Sequence, residues 1–475
     1  MGSGALSDEA YRLSWVEGVG RLLVAVVYEG DNDSDNITND KNICNEIITC
    51  TLRYNLLCEL LTSAKNLLRI PPTGGIDDCL RGKEVVGAYC ALICYTPDNG
   101  NDNNDSRVND NNRVNKIRHD MLLRNGYIAL TNLLASTPSL KSPHSAMFPL
   151  LNSTLITSCR RLKESLTIET CYRLVRFLHY AIGTMQELRK IAVLVEDNVG
   201  TIVELLGYFV CEKFPRDGKE NEKESTSLLS PPILLSPPSD STYPLAIECL
   251  KALYAISCSG EGKTYLSSPS NAETVKNLGY VLSNVLHLPN GNRDVYEVKL
   301  EAVKLIMEPP ADYVQYLLDT GCIDKLLDIL HIQSSECVVE KCNDVQGRVL
   351  HVLVATRECC KLNKLVKKHV EERIFPAEEM RAAEEERMKE LSALPEAERE
   401  QAQKALDLKP ISSPPHSLRS HLLALLLSLD TNVKRFASEL LWEICGDSRI
   451  FSKRVGYGRG IHFLGLKGIV KTPKG

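Results

Sequence analysis

Four basic side chains give the chain its clearest chemical pattern. Arg357, Lys361, Lys364 and Lys368 recur at i, i+4, i+7 and i+11. On a helix running from about 345 to 370, at ~100° per residue, they form one narrow stripe. Leu350, Leu353, Val354, Leu362 and Leu365 fall on the opposite face and are expected to enter the core. Such a stripe is either a solvated face or, on the inner surface of a helical array, an attractor for a carboxylate-bearing peptide. No residue set for covalent or hydrolytic chemistry accompanies it. Gly260-Glu261-Gly262-Lys263-Thr264 ends like a phosphate loop, but Ser257 stands where the first glycine is required, after a helix rather than a strand. The ten histidines include no H-E-x-x-H, and neither a G-x-S-x-G elbow nor a paired-carboxylate pocket can be placed. Seventeen cysteines, an odd number without C-x-x-C spacing, predict reduced, buried thiols such as Cys249 and Cys445 rather than bridges or zinc ligands. No catalytic residue, cofactor or metal is expected. The protein is expected to act by binding.

The elements that position these residues are helices. The 475 residues are 43% hydrophobic and only 6% aromatic, a balance that suits stacked helices and excludes wholesale disorder. A formal charge of −5 and a pI near 6.1 argue against a nucleic-acid binder. No run reaches the ~18 to 20 apolar residues that span a bilayer. Asp8 and Glu9 precede any apolar segment, so no secretory signal is expected, and the chain should stay in the cytoplasm. Apolar residues repeat at three and four through 43–68, 168–182, 245–257, 275–288 and 418–444, which predicts an all-α fold.

Three stretches interrupt the periodicity and are expected to be flexible insertions: 31–42, 98–115 and 214–244. The second holds twelve Asn or Asp in eighteen residues, and the third carries Pro231, Pro232, Pro237 and Pro238. A fourth segment, 371–409, has twelve acidic and seven basic residues and reads as a solvated helical insertion broken near Pro395. Residues 471–475 are expected to form a disordered tail.

Degenerate repeats lie between the insertions. Leu122-Leu123-Arg124-Asn125-Gly126-Tyr127-Ile128 and Leu317-Leu318-Asp319-Thr320-Gly321-Cys322-Ile323 each lead into further leucines, and Val195, Asn198, Gly200, Ile202, Leu205 and Leu206 form a weaker copy. The implied unit is a helix end, a glycine with φ > 0, then a second amphipathic helix. Armadillo-type repeats look like this, and at about 40 to 47 residues each the chain has room for roughly nine. The expected architecture is therefore a single armadillo/HEAT-like right-handed superhelical solenoid over 1–470.

The C-terminal block is the most specific part. Leu418-Arg419 opens a leucine helix, followed by Leu429-Asp430-Thr431-Asn432-Val433-Lys434-Arg435-Phe436-Ala437-Ser438-Glu439-Leu440-Leu441-Trp442, then Ile444-Cys445, Gly456-Tyr457-Gly458 and Leu464-Gly465-Leu466-Lys467-Gly468. Thr431 is a plausible N-cap for a helix from Val433, and Trp442 is expected in the core. The block resembles the C-terminal armadillo repeat of the synembryn family, the resistance-to-inhibitors-of-cholinesterase proteins. Weaker likeness follows in order upstream, through Tyr172-Arg173-Leu174-Val175-Arg176-Phe177-Leu178 and Leu250-Lys251-Ala252-Leu253-Tyr254-Ala255-Ile256.

The resemblance implies a monomeric cytosolic chaperone and guanine nucleotide exchange factor for heterotrimeric G-protein α subunits, recruited to the cell cortex or plasma membrane. It implies that the solenoid grips the C-terminal helix of the α subunit. Carried over by position, the gripping residues are Asn152 or Ser153, Tyr254, Arg357, Lys361 and Lys364, and Asn363 and Lys368 complete the candidate set. Cys360 and Asn363 stand where the family has arginines, and Lys304 where it has an asparagine. The family's longer tail after the Gly456-Tyr457-Gly458 turn is not matched, which implies a grip separable from full exchange activity. A general armadillo adaptor without exchange activity is the alternative reading.

Overall fold

The structure, a computed structural model, describes residues 90, 106–136, 148–164, 166–196, 198–213, 242–289, 293–340, 342–411 and 413–469. These residues form α-helices joined by short turns, with no strand among them, so the fold is all-α as expected. Two compact units divide the chain, 1–265 and 266–475. The expected insertion at 31–42, most of that at 214–244, and the tail at 471–475 lie outside the described residues.

In the first unit, helix α1 spans Ser106–Ser136, α2 Phe148–Arg161 and α3 Ile168–Thr184. Helix α4 covers Gln186–Lys190 and runs into a π-helical turn, Ile191–Val195; α5 spans Asn198–Lys213 and α6 Tyr243–Ser257. Thr167 caps α3 by accepting a hydrogen bond from the Thr170 backbone N–H, and its hydroxyl reaches Asp120 of α1 at 2.9 Å. About two turns further along α1, Tyr127 meets Phe177 at a ring separation of 5.7 Å. On the other flank, His179 meets Glu248 at 2.9 Å and Gly183 faces Ala255. Residue numbers rise together across both interfaces, so α1, α3 and α6 lie side by side and parallel. Leu174, Val175, Phe177, Leu178 and Ile182 are buried among them, each worth about 2 kcal/mol of removed apolar surface.

Two expectations fail here. Helix α1 begins at Ser106, inside the stretch expected as a loop, and passes without a break through Gly126, expected to end a helix. Leu122, Leu123, Tyr127, Leu130, Leu133 and Leu134 are all buried along one continuous face, and their burial outweighs the ~1 kcal/mol cost of a mid-helix glycine. Once α1 is nucleated, extending it back through Asn and Asp costs little per residue. Gly200 likewise sits inside α5 rather than between helices.

Helix α7 is Gly260–Leu266; in the second unit, α8 is Ala272–His287, α9 Arg293–Ile306, α10 Ala311–Asp319, α11 Cys322–Val339 and α12 Asn343–Leu362. Then come α13 Lys364–Ile374, α14 Ala377–Ser392, α15 Glu396–Asp407, α16 Leu418–Leu425, α17 Thr431–Cys445, α18 Ser448–Val455 and α19 Tyr457–Leu466. Helices α8, α11 and α16 pack in succession as one layer, and α9, α12 and α17 as a second, with α11 against α12 joining the two. This is helical-repeat stacking, in which each element touches its neighbours in the chain. Gly321, at φ 70°, forms the left-handed joint between α10 and α11 that the repeat pattern predicted.

Three boundaries differ from the periodicity. The helix expected over 345–370 breaks at Asn363, whose extended backbone (φ −139°, ψ 118°) separates α12 from α13. The run over 418–444 divides into α16 and α17. Asp430, not Thr431, caps α17, accepting from the backbone N–H groups of Asn432 and Val433 at 2.8 Å each. The 371–409 segment breaks at Pro395 as expected, but it is not merely solvated. Arg419, only 3% exposed, holds Glu379 at 3.1 Å; Lys453 holds Glu384 at 2.5 Å and Arg454 holds Glu371 at 2.8 Å. Gly456, at φ 84°, presses against the backbone of residues 408–410, where an added Cβ would lie 2.5 Å from the Pro410 nitrogen.

Nine of the described cysteines are buried, and burial pushes thiols such as Cys171 up to about 12. No helix of the described residues is long and apolar enough to cross a membrane.

Two measurements test this packing. Gly456→Ala should destabilise the protein by roughly 2 to 4 kcal/mol, combining the left-handed penalty with steric displacement of the 408–410 segment. Thermal melting of the variant reads it directly, and an unchanged midpoint would refute the close approach. Burial, then the neighbouring Arg161, lowers the His119 pKa to about 4. An imidazole that titrates near 4 when folded and near 6.5 when unfolded makes acid favour the unfolded chain. The stability that neutral His119 contributes therefore declines as pH falls from about 6.5 toward 4, and His119→Gln should flatten the melting profile across that window.

Candidate partner-binding site

The basic residues singled out by sequence lie in the second unit but do not form one stripe. The break at Asn363 leaves Arg357 and Lys361 on α12, and Lys364 and Lys368 on α13. Leu362 and Leu365, expected in the core, are 46% and 59% exposed because the break turns both toward solvent. Leu353 is buried as expected. Asn363 does not face a partner: its Oδ1 accepts from the Leu365 and Val366 backbone N–H groups, capping α13, and its amide donates to Gln315 at 2.8 Å. Lys364 is exposed, and Lys368 has only a loose pairing with Glu372 at 3.8 Å.

Arg357 and Lys361 are brought together. They open onto a cleft between α12 and α17 that is also lined by Arg435, Glu439, Trp442, Glu443 and Lys467. Arg357 is tied to Glu439 of α17 and, at 2.6 Å, to Glu358; its guanidinium also lies 5.4 Å from the Phe436 ring. Lys361 reaches Glu358 at 2.9 Å, and Arg435 reaches Glu439 at 3.1 Å. Burial works against the Glu358 charge, but hydrogen bonds from Lys361 and Arg357 outweigh it and hold the carboxyl below its ordinary range. The cleft therefore presents four cations interleaved with carboxylates beside the half-buried Trp442.

The cleft wall is built from aromatics. Trp442 lies 5.6 Å from Phe451 and 6.0 Å from Phe463, and the Lys467 ammonium sits 5.5 Å over Phe463. Trp442 is thus half-buried, lining the cleft instead of filling the core as expected, because α18 and α19 cover only one of its faces. The sequence did carry a signal for Glu439: it stands four residues after Arg435, the spacing of a helical ion pair. Nothing local pointed to Lys467, which arrives through the fold of α19. Cys360 is buried against the α17 side of α12, so at that position a family-like arginine would meet the core. Lys304 is occupied with Glu301 at 2.6 Å.

The remaining candidates belong to the first unit. Asn152 on α2 is half-buried, and its Oδ1 has no hydrogen-bond partner among the described residues. Ser153 is exposed and donates to the Pro149 carbonyl at 3.1 Å. Tyr254 is half-buried on α6, two turns beyond Glu248, whose carboxyl is held by His179 and Lys251.

No family model matches the chain, and no curated protein matches it. Among solved structures, two engineered proteins align with 72% of this chain and 97% of their own, at 14% and 12% identity and a TM-score of 0.39 each. A chain of the SYS-1/POP-1 crystal complex aligns with 90% of this chain and 63% of its own, at 12% identity and a TM-score of 0.48. Likenesses of that size settle neither family nor function.

Replacing Asn363 by Ala should cost about 1 to 2 kcal/mol, the ordinary value of a side-chain N-cap, and should loosen α13. Hydrogen exchange at Leu365 and Val366 locates the effect; unaltered protection there would mean that the cap is idle.

Proposed function

We infer that the protein is a synembryn-type chaperone and guanine nucleotide exchange factor for heterotrimeric G-protein α subunits. The observation that carries this reading is the cleft between α12 and α17. Arg357 and Lys361, taken from the likeness, and Arg435 and Trp442, within the most family-like block, line one cavity. A C-terminal α-subunit segment, with a terminal carboxylate, acidic side chains and apolar side chains, complements that lining. Binding that segment in a conformation incompatible with tight GDP binding lowers nucleotide affinity by the differential contacts made with the two states. No bond is made or broken in this protein. Catalysis of exchange is stabilisation of the nucleotide-free subunit, and the same grip shields a nascent one. The protein is expected to act as a monomer in the cytoplasm, with recruitment to the cell cortex where its partner resides.

A plain helical-repeat adaptor is the second reading, favoured by one observation: Arg357 and Lys361 are already paired with acidic neighbours. The two readings separate on GDP release. Mixing the purified protein with a GDP-loaded α subunit should accelerate release, and no acceleration together with no binding to the free subunit would leave the adaptor. Lys361→Glu should weaken binding by about 1 to 2 kcal/mol through a lost charge-assisted bond and added repulsion. Lys364→Glu, outside the cleft lining, should change it by less than about 0.5 kcal/mol. Equal losses in the two variants would return the site to the unbroken stripe.

A further inference from the structure

The cleft between α12 and α17 already holds the kind of group it is suited to receive. Glu439 projects from α17 and meets Arg357 of α12 as well as Arg435, the latter at 3.1 Å. Its side chain is 18% exposed, so its charge depends on these guanidinium groups far more than on water. Arg357 divides its donors between Glu439 and Glu358, and Lys361 is drawn to the same Glu358. Arg435 keeps an open side toward solvent, at 60% exposure. A carboxylate arriving from outside cannot simply be added to this arrangement, because the fork of Arg357 is already filled.

Resting on the reading that this cleft receives an acidic segment of a partner, we propose that Glu439 is a built-in competitor. It occupies the seat between Arg357 and Arg435 that a partner's carboxylate takes. Exchanging one carboxylate for another there is close to neutral, since the same guanidinium groups are satisfied before and after. Net affinity comes only from a second acidic group that reaches Lys467, whose ammonium is held over Phe463 at the rim, or Lys361. The site therefore selects peptides with two closely spaced carboxylates over peptides with one. The released Glu439 keeps Arg435 as its partner, one helical turn away and 60% exposed, so displacement does not strand an unpaired charge.

The test uses the full chain and labelled synthetic peptides, with affinity read by fluorescence anisotropy. One peptide ends in a free carboxylate preceded by an aspartate, and the other replaces the aspartate with asparagine. The wild type should prefer the diacid. Glu439→Gln keeps the side-chain shape and removes the charge; it should bind both peptides about five- to tenfold more tightly and narrow the preference. Glu439→Asp keeps the charge but withdraws it from the seat, and it should shift affinity in the same direction if the glutamine variant is unstable. A folded variant that binds no more tightly than wild type overturns the proposal, as does failure of wild type and variants to bind either peptide below millimolar concentration. No α subunit is present in this assay. Accelerated GDP release without an effect of Glu439→Gln removes the competitor, whereas tightening without GDP release removes the exchange reading.

Discussion

The pairing of Arg357 with Glu439 is the constraint around which the second unit's candidate site is organised. Arg357 is 14% exposed, and a guanidinium that far from water needs carboxylate partners. Meeting that need fixes the register of α12 against α17, because only one helical turn of α17 can present Glu439, with Phe436 one turn earlier beside the same guanidinium. That register brings Trp442 to the cleft, and the aromatic contacts of Trp442 set where α18 and α19 lie. The chemistry of the cleft and its geometry thus have one cause. Lys367 reaching Glu443 at 3.5 Å repeats the device one turn further along.

The first unit achieves the same parallel alignment with different means. Asp120 with Thr167, Tyr127 with Phe177, and Glu248 with His179 align α1, α3 and α6. Glu248 is almost fully buried; burial opposes its charge, and the hydrogen bond from His179 with the nearby Lys251 and Arg176 outweighs that and lowers its pKa. In both units apolar burial supplies most of the stability, while a carboxylate held by basic side chains, Glu248 in one and Glu439 in the other, helps set which turn faces which.

The all-α class was legible because period-3.6 burial runs through nearly every segment, and α3, α6 and α8 start and end within three residues of their periodic runs. Boundaries set by one polar side chain were not. Asn363 and Asp430 interrupt runs whose hydrophobic pattern continues unchanged, and a cap competes with helix continuation in a way that periodicity cannot register. Gly126 and Gly321 occupy the same place in similar heptapeptides, yet one lies inside a helix and the other ends one. The difference is tertiary: leucines after Gly126 stay on the same buried face, whereas Gly321 must turn the chain. Arg357 and Lys361 were legible as functional candidates, but their partners on α17 and α19 required the fold.

The docking of Gly456 against residues 408–410 has a consequence for how the chain is made. Helices α18 and α19 close onto the α14–α15 hairpin through Lys453, which holds Glu384 of α14, and through the turn at Gly456 against residues 408–410, while Arg454 holds Glu371 of α13. Their other support is α17, through the cluster of Trp442, Phe451 and Phe463. The hairpin in turn is rich in charge and poor in buried side chains, with Ala383 and Leu391 the buried residues of α14 and none in α15. It is held from outside by charged contacts, to Arg419 of α16 and Lys453 of α18. Lys453 and Glu384 lie 69 residues apart in the chain, so this closure is a non-local step of folding.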